Sequence, residues 1–297
     1  MPTEIAKAGG IEALVEASRD HVGNADVQGE VAGALWGLSV SDEIEAQIAQ
    51  AQGGPNPEPE PEPEPDADAD ADLYPDPDPD PDPSPTPSLF PAPNPDPEQA
   101  QGVQVLVAAA KMHFRNAKVQ ARVAGALRKM SATDENKREI AEAGGVRALI
   151  ESSRMHLDSG VVQASVAGVL SNLSVDSEIE REIASEGGIE ALIGAATAHA
   201  TDVKVQARVV RALTNLSADA ANKARIGSEE GVATLVQAAL THADSAAVQA
   251  GVAGGLRNLS LSAELAQRIV ELDGPRALIA AATTHAANAI VQAGPRV

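Results

Sequence analysis

All six histidines of the chain, His21, His113, His156, His199, His242 and His285, belong to one series, and from His113 onward the interval is 43 residues. Imidazole is the side chain best suited to metal ligation or to proton transfer near neutral pH. A shared ion needs its ligand atoms about 2 Å away, whereas packed helices stand about 10 Å apart. Histidines on successive stacked units therefore cannot hold one metal between them. The expected role is a cap at the C-terminal end of a helix, where the ring bonds the last carbonyls and meets the negative end of the dipole. The chain has no cysteine, which removes thiolate nucleophiles, thiolate metal sites and disulfides. Every other residue type that does chemistry returns at the same interval, with no acid, base and nucleophile converging. The expectation is a non-enzymatic protein with no metal and no cofactor.

The interval runs through the whole chain. Gly102, Gly145, Gly188, Gly231 and Gly274 are each 43 residues apart, Gly10 opens the series, and Gly53 follows it 43 residues on. Four positions after each phase glycine except Gly53 stand Leu14, Leu106, Leu149, Leu192, Leu235 and Leu278, and eighteen after stand Gln28, Gln120, Gln163, Gln206, Gln249 and Gln292. Each unit reads as three helices. The first is short and carries Ile5, Ile48, Ile140, Ile183, Ile226 or Ile269, with a glycine pair such as Gly187-Gly188 as its stop. The second is apolar at offsets +1, +4 and +5. The third is apolar at +17, +21, +25 and +28, as in Val162, Val166, Leu170 and Leu173, which is one helical face. Asn24, Asn116, Ser159, Asp202, Ser245 and Asn288 stand where caps of the third helix belong. Ser41, Thr133, Asp176, Asp219 and Ser262 stand where the next first helix starts. A row of serines, Ser39, Ser131, Ser174, Ser217 and Ser260, is placed to bond back and close the third helix. Only four aromatics are present, so the core is thin and built from Ala, Val, Leu and Ile, and units must lean on one another to bury it.

Runs such as Ile183-Ala184-Ser185-Glu186-Gly187-Gly188-Ile189-Glu190-Ala191-Leu192-Ile193, Val205-Gln206 and Ala212-Leu213-Thr214-Asn215-Leu216-Ser217 resemble the armadillo repeat, over residues 1–54 and 99–297. Small residues such as Ala195-Ala196 replace leucines usual in that family, and the loop before the third helix is a little longer, so the resemblance is to a divergent member. It implies an all-α, right-handed superhelical solenoid of about five and a half three-helix repeats. It also implies a protein-interaction scaffold whose third helices line a concave groove for extended peptides. Offsets +20, +23 and +27 should face that groove. Asn172, Asn215 and Asn258 match the asparagines that hold a peptide backbone in importin-α-like proteins, and an amide offers both a donor and an acceptor for that role. The tryptophans that such grooves use for lysine-rich cargo are replaced by Gly33, Gly125, Gly168, Arg211 and Gly254, with Trp36 out of phase. A nuclear-transport-type cargo adaptor is thus the second reading. A fragment of a larger scaffold or ubiquitin-ligase-type protein that recruits substrates is the third. Arg122, Lys129, Arg208 and Arg211 make the face basic instead, which matches an acidic or phosphorylated partner segment.

The remainder is an insertion. Residues 55–98 hold 17 of the 20 prolines, 14 of the 43 acidic residues and no Lys or Arg, a composition that favours extended, solvated chain. It splits the second unit between its first and second helices, and its charge suits it to compete for the basic groove. Its Asp66–Asp72 run fails the calcium-loop pattern at Ala71 and Pro77. The first reading of the stretch is an expanded low-complexity loop with no dedicated partner; beside it, Leu73-Tyr74 and Leu89-Phe90 are candidate docking motifs, and Ser84-Pro85-Thr86-Pro87 a candidate phosphorylation site. Outside it, 22 basic residues face 29 acidic ones, with no basic excess for nucleic acid and no apolar run for a membrane. The partners expected are other proteins, in the cytoplasm and secondarily the nucleus. The two ends look uncapped, which points to a longer array or to end-to-end self-association.

Overall fold

The computed structural model describes residues 10–38 and 97–285. Within them lie fifteen α-helices and no strand. The second helices of successive units are α1 (Gly10–Asp20), α3 (Pro97–Met112), α6 (Gly145–Met155), α9 (Gly188–Ala198), α12 (Glu229–Thr241) and α15 (Gly274–Thr284). The third helices are α2 (Ala25–Leu38), α4 (Ala117–Met130), α7 (Gly160–Leu173), α10 (Val203–Leu216) and α13 (Ala246–Leu259). The first helices are α5 (Asp134–Glu142), α8 (Ser177–Ser185), α11 (Ala220–Ile226) and α14 (Ala263–Glu271). The fold is all-α and repeat-like. Each third helix packs on the third helix before and after it, and each second helix does the same with its own kind. Helix α3 starts at Pro97, two residues inside the stretch read as insertion. The rest of that stretch lies outside the described residues, with Ile5, Ile48, Ser39, Ser41, Asn288 and Gln292.

The predicted faces are the core. Val146, Leu149 and Ile150 on α6, and Val162, Val166, Leu170 and Leu173 on α7, are all buried, and their counterparts run into one continuous cluster. The caps hold too. Asn116, Ser159, Asp202 and Ser245 accept from the first-turn amides of their third helices. Asn24 accepts from Asp26 and Val27, and Thr133, Asp176 and Asp219 cap first helices. Ser262 sits at the N-cap of α14 without a side-chain bond. The serine row closes its helices as expected: Ser131, Ser174, Ser217 and Ser260 each donate to the carbonyl three residues back.

The phase glycine has a steric cause. At Gly188 a Cβ would stand 2.5 Å from Ile183 Cγ2 and 2.8 Å from its carbonyl oxygen, and Gly145 meets Ile140 in the same way. Each first helix thus drives its isoleucine against the start of the second. The left-handed turn between them falls on Gly144 and Gly187, with φ of 74° and 81°, and in the last unit on Asp273. In the fifth unit the turn is rebuilt: α11 ends at Ile226 and Ser228 caps α12 from outside.

Two elements hold the units together that composition alone did not reveal. Each described +18 glutamine is buried and donates its Nε2 to two carbonyls at the end of the second helix, as Gln163 does to Ser153 and His156 at 2.8 Å each. Gln28, Gln120, Gln206 and Gln249 repeat it. The histidines act differently from the expected cap. From the second unit onward each ring Nε2 reaches the preceding unit: His113 to Val22 O, His156 to Phe114 O, His199 to Leu157 O, His242 to Ala200 O and His285 to Ala243 O, at 2.7–2.8 Å. A carbonyl only accepts, so Nε2 carries the proton. The backbone N–H, rather than the ring, closes the histidine's own helix.

Gly188→Ala should lower stability by about 1–3 kcal/mol through overpacking, whereas Gly194→Ala, with nothing within 4 Å, should be neutral or gain up to about 1 kcal/mol; urea unfolding of both checks this. Glu139 is buried, its Oε2 has no partner, and desolvation raises its pKa against the weaker effect of Gln104. A carboxyl whose folded pKa is raised binds more protons folded than unfolded, so stability falls as pH rises through that range. Glu139→Gln should therefore stabilise the protein at neutral pH, by about 1 kcal/mol, with the gain shrinking on acidification; thermal melts across pH measure it.

Candidate peptide-binding face

Four consecutive third helices carry the seven predicted residues: Arg122 and Lys129 on α4, Asn172 on α7, Arg208, Arg211 and Asn215 on α10, and Asn258 on α13. Since α4, α7, α10 and α13 pack in that order, all seven come onto neighbouring helices. Their helices hold eight cations, Lys118, Arg122, Arg128, Lys129, Lys204, Arg208, Arg211 and Arg257, and no Asp or Glu. In a chain with a formal charge of −21, this is a marked segregation. By contrast, the first helices α5 and α8 hold four and three acidic residues.

The arginines do not stand out from the surface. Arg122 is 12% exposed at its side chain, bonds Glu30 of the preceding unit at 2.7 Å, and lies across Gly29 and Gly33. Its hydrogen bond and charge, helped by Lys118 at 3.7 Å, hold the Glu30 carboxyl below the ordinary carboxylate range. The stem of Arg208 lies against Gly168 in the same manner, and Gly251 faces Val210 and the backbone of Arg211. Gly33, Gly168 and Gly251 each make room for a neighbour on an adjacent third helix. Arginine stems in these slots keep their methylenes packed.

The asparagines share their amides with the fold. Asn172 Nδ2 donates to Arg128 O and Ser131 Oγ, Asn215 to Ser171 O and Ser174 Oγ, and Asn258 to Thr214 O and Ser217 Oγ, all at 3.0–3.3 Å. Each amide thus caps the end of the preceding third helix. The donor expected for a peptide backbone is spent there. Asn258 is buried, while Asn172 and Asn215 are half-buried.

One residue escaped the sequence reading. Arg128, at offset +26, was not among the face positions, yet its Cδ comes within 2.5 Å of where a Cβ on Gly168 would stand. The signal was the glycine on the facing helix, which turns a flank position inward. Among the described residues no three His, Asp or Glu side chains stand close enough to share a metal ion, and no helix is long and apolar enough to cross a membrane.

No protein-family model matches the chain, and no curated protein matches it. Among solved structures, an engineered protein crystallised by the Northeast Structural Genomics Consortium is similar, with a TM-score of 0.65 and 23% identity over 96% of this chain and 93% of that one. At that identity the likeness concerns the fold alone. Fold and face together define an all-α repeat-like protein with a cationic third-helix surface.

Asn215→Ala should cost about 1–2 kcal/mol of stability without any ligand, because Ser171 O and Ser174 Oγ lose their shared donor; denaturant unfolding reads it, and an unchanged midpoint would contradict the stitching role.

Proposed function

We propose that the chain is an armadillo-type solenoid, a divergent one, that acts as a protein-interaction scaffold and holds extended acidic or phosphorylated segments along its third helices. The observation that carries this is the charge pattern: eight cations and no carboxylate on α4, α7, α10 and α13. Such a surface attracts an extended anionic chain over several units at once, and speeds its arrival as well as its hold. Supporting the solenoid reading, each third helix touches its equivalents on both sides and the same cross-unit bonds recur from histidine to histidine. The glycines at offset +23 favour this ligand over a lysine-rich one, since no aromatic ring stands there to pack on a lysine stem. Arg211, the exception, repels such a ligand.

The test is fluorescence polarisation with labelled extended peptides, one rich in Asp and Glu and one rich in Lys. The acidic peptide should bind, and added salt should weaken it because screening shortens the reach of each charge. Arg208→Glu with Arg211→Glu should weaken that binding at least tenfold, or about 1.4 kcal/mol. Equal binding of both peptides, or indifference to the double reversal, would sink the proposal.

A further inference from the structure

The edge formed by the loops between second and third helices is apolar in the first three units. Val22, Phe114 and Leu157 hold the same place in successive loops and are 42–43% exposed, with Met112 and Met155 more than half exposed beside them. The histidine bonds draw these loops together: His113 meets the carbonyl of Val22, His156 that of Phe114 and His199 that of Leu157. Large apolar side chains of neighbouring units thus form one ridge, where scattered ones would call for no explanation. In the next two units the same place holds Ala200 and Ala243, and the ridge stops. No aromatic side chain stands in the described core, yet Phe114 lies outside it. Residues 112–118 around that ring line an open cleft of about 540 Å³. Arg115 stands over the ring at 5.2 Å, and Lys118 is exposed on the same wall. Asp158 replaces Arg115 at the matching place of the third unit, so the cleft is cationic in the second unit only.

We propose that this cleft is the docking site of a segment of the same chain, Asp72-Leu73-Tyr74-Pro75-Asp76 of the proline-rich insertion, which lies outside the described residues. Leu73 and Tyr74 cover Met112 and Phe114, and the aspartates on either side meet Arg115 and Lys118. Charge chooses between the two apolar pairs of the insertion. Leu73-Tyr74 is flanked by Asp70, Asp72, Asp76 and Asp78, whereas no carboxylate occurs from residue 83 to residue 95 around Leu89-Phe90. Length makes the same choice. Helix α3, 16 residues from Pro97 to Met112, is about 24 Å long, and the segment must travel that far back to reach the cleft. Tyr74 precedes Pro97 by 23 residues, which proline-rich chain can stretch to about 70 Å; the seven residues after Phe90 give about 22 Å, too little to turn and return. Gln104, Ala108 and Lys111 are exposed along α3 and leave that route open. Tethering makes the contact intramolecular, so a modest affinity suffices to populate it. The docking is independent of the third-helix face and of what binds there.

Tyr74 is the only tyrosine of the chain, so the full chain made with fluorotyrosine gives a single fluorine NMR signal. That signal should be displaced from its position in a free peptide of residues 66–80, by the same amount at every protein concentration. Phe114→Glu should return it to the peptide's position, and so should Arg115→Glu with Lys118→Glu; Leu89→Ser with Phe90→Ser should leave it displaced. Circular dichroism checks that each variant is folded, and if Phe114→Glu is not, the charge reversal decides. A parent signal already at the peptide's position overturns the docking. A displaced signal that ignores the cleft variants overturns it as well. Displacement that grows with protein concentration assigns the contact to a second copy, and loss of displacement in the Leu89, Phe90 variant assigns it to the other pair; either result overturns the proposal.

Discussion

The constraint on which this structure depends is that no unit can satisfy its own polar ends. A helix leaves four carbonyls open at its C-terminus, and three short helices per unit leave many in a small volume. Within a unit, the buried glutamine closes the end of the second helix. Between units, a histidine ring takes the turn carbonyl of the unit before, and an asparagine amide takes the end of the preceding third helix. Basic side chains do the same for the ends of first helices: Lys111 reaches Ala143 O, Arg154 reaches Glu186 O and Gly187 O, and Arg268 reaches Gly227 O. Hydrophobic stacking of Val and Leu supplies the bulk of the attraction. The directional bonds fix where along the neighbour each unit sits.

That arrangement shapes the surface available for binding. Third helices aligned by the asparagine bonds bring equivalent offsets side by side, so a long residue on one helix faces whatever stands on the next. Glycines at Gly33 and Gly168 turn this alignment into slots, and arginine stems fill them. Small residues here are thus the means by which cations from different units are drawn together. The same alignment explains why the face is held firmly: Arg122 is fixed by Gly29 and Gly33 beneath and Glu30 beside it.

Much of this was legible in the sequence. Caps at Asn116, Ser159 and Asp202, and core positions at +17, +21, +25 and +28, follow from rules that act within a few residues, so the 43-residue alignment exposed them at once. The histidine row was equally visible, but its partner was not: the acceptor lies 42 residues away, and periodicity does not tell which carbonyl a ring will meet. For the asparagines, their place on the third helices was foreseeable, whereas the commitment of their amide nitrogens to the preceding helix was not. Arg128 was missed because its direction depends on Gly168, on another helix, and no pattern within α4 encodes it. In the fifth unit, Gly227 and Ser228 replaced the expected glycine stop because Glu230 occupies the place of the left-handed glycine.

The cross-unit bonds also set a rule for how such a chain can change length. From His156 onward each histidine meets a carbonyl 42 residues back, and asparagine meets a hydroxyl 41 residues back and a carbonyl 44 back. Removing or duplicating one whole unit leaves every donor opposite the same type of acceptor, whereas a single-residue slip within a unit misaligns all three at that junction. Whole units can therefore be gained or lost without disturbing a junction, and sequence added between bonded elements is tolerated as well, since His113 still meets Val22 O from 91 residues away.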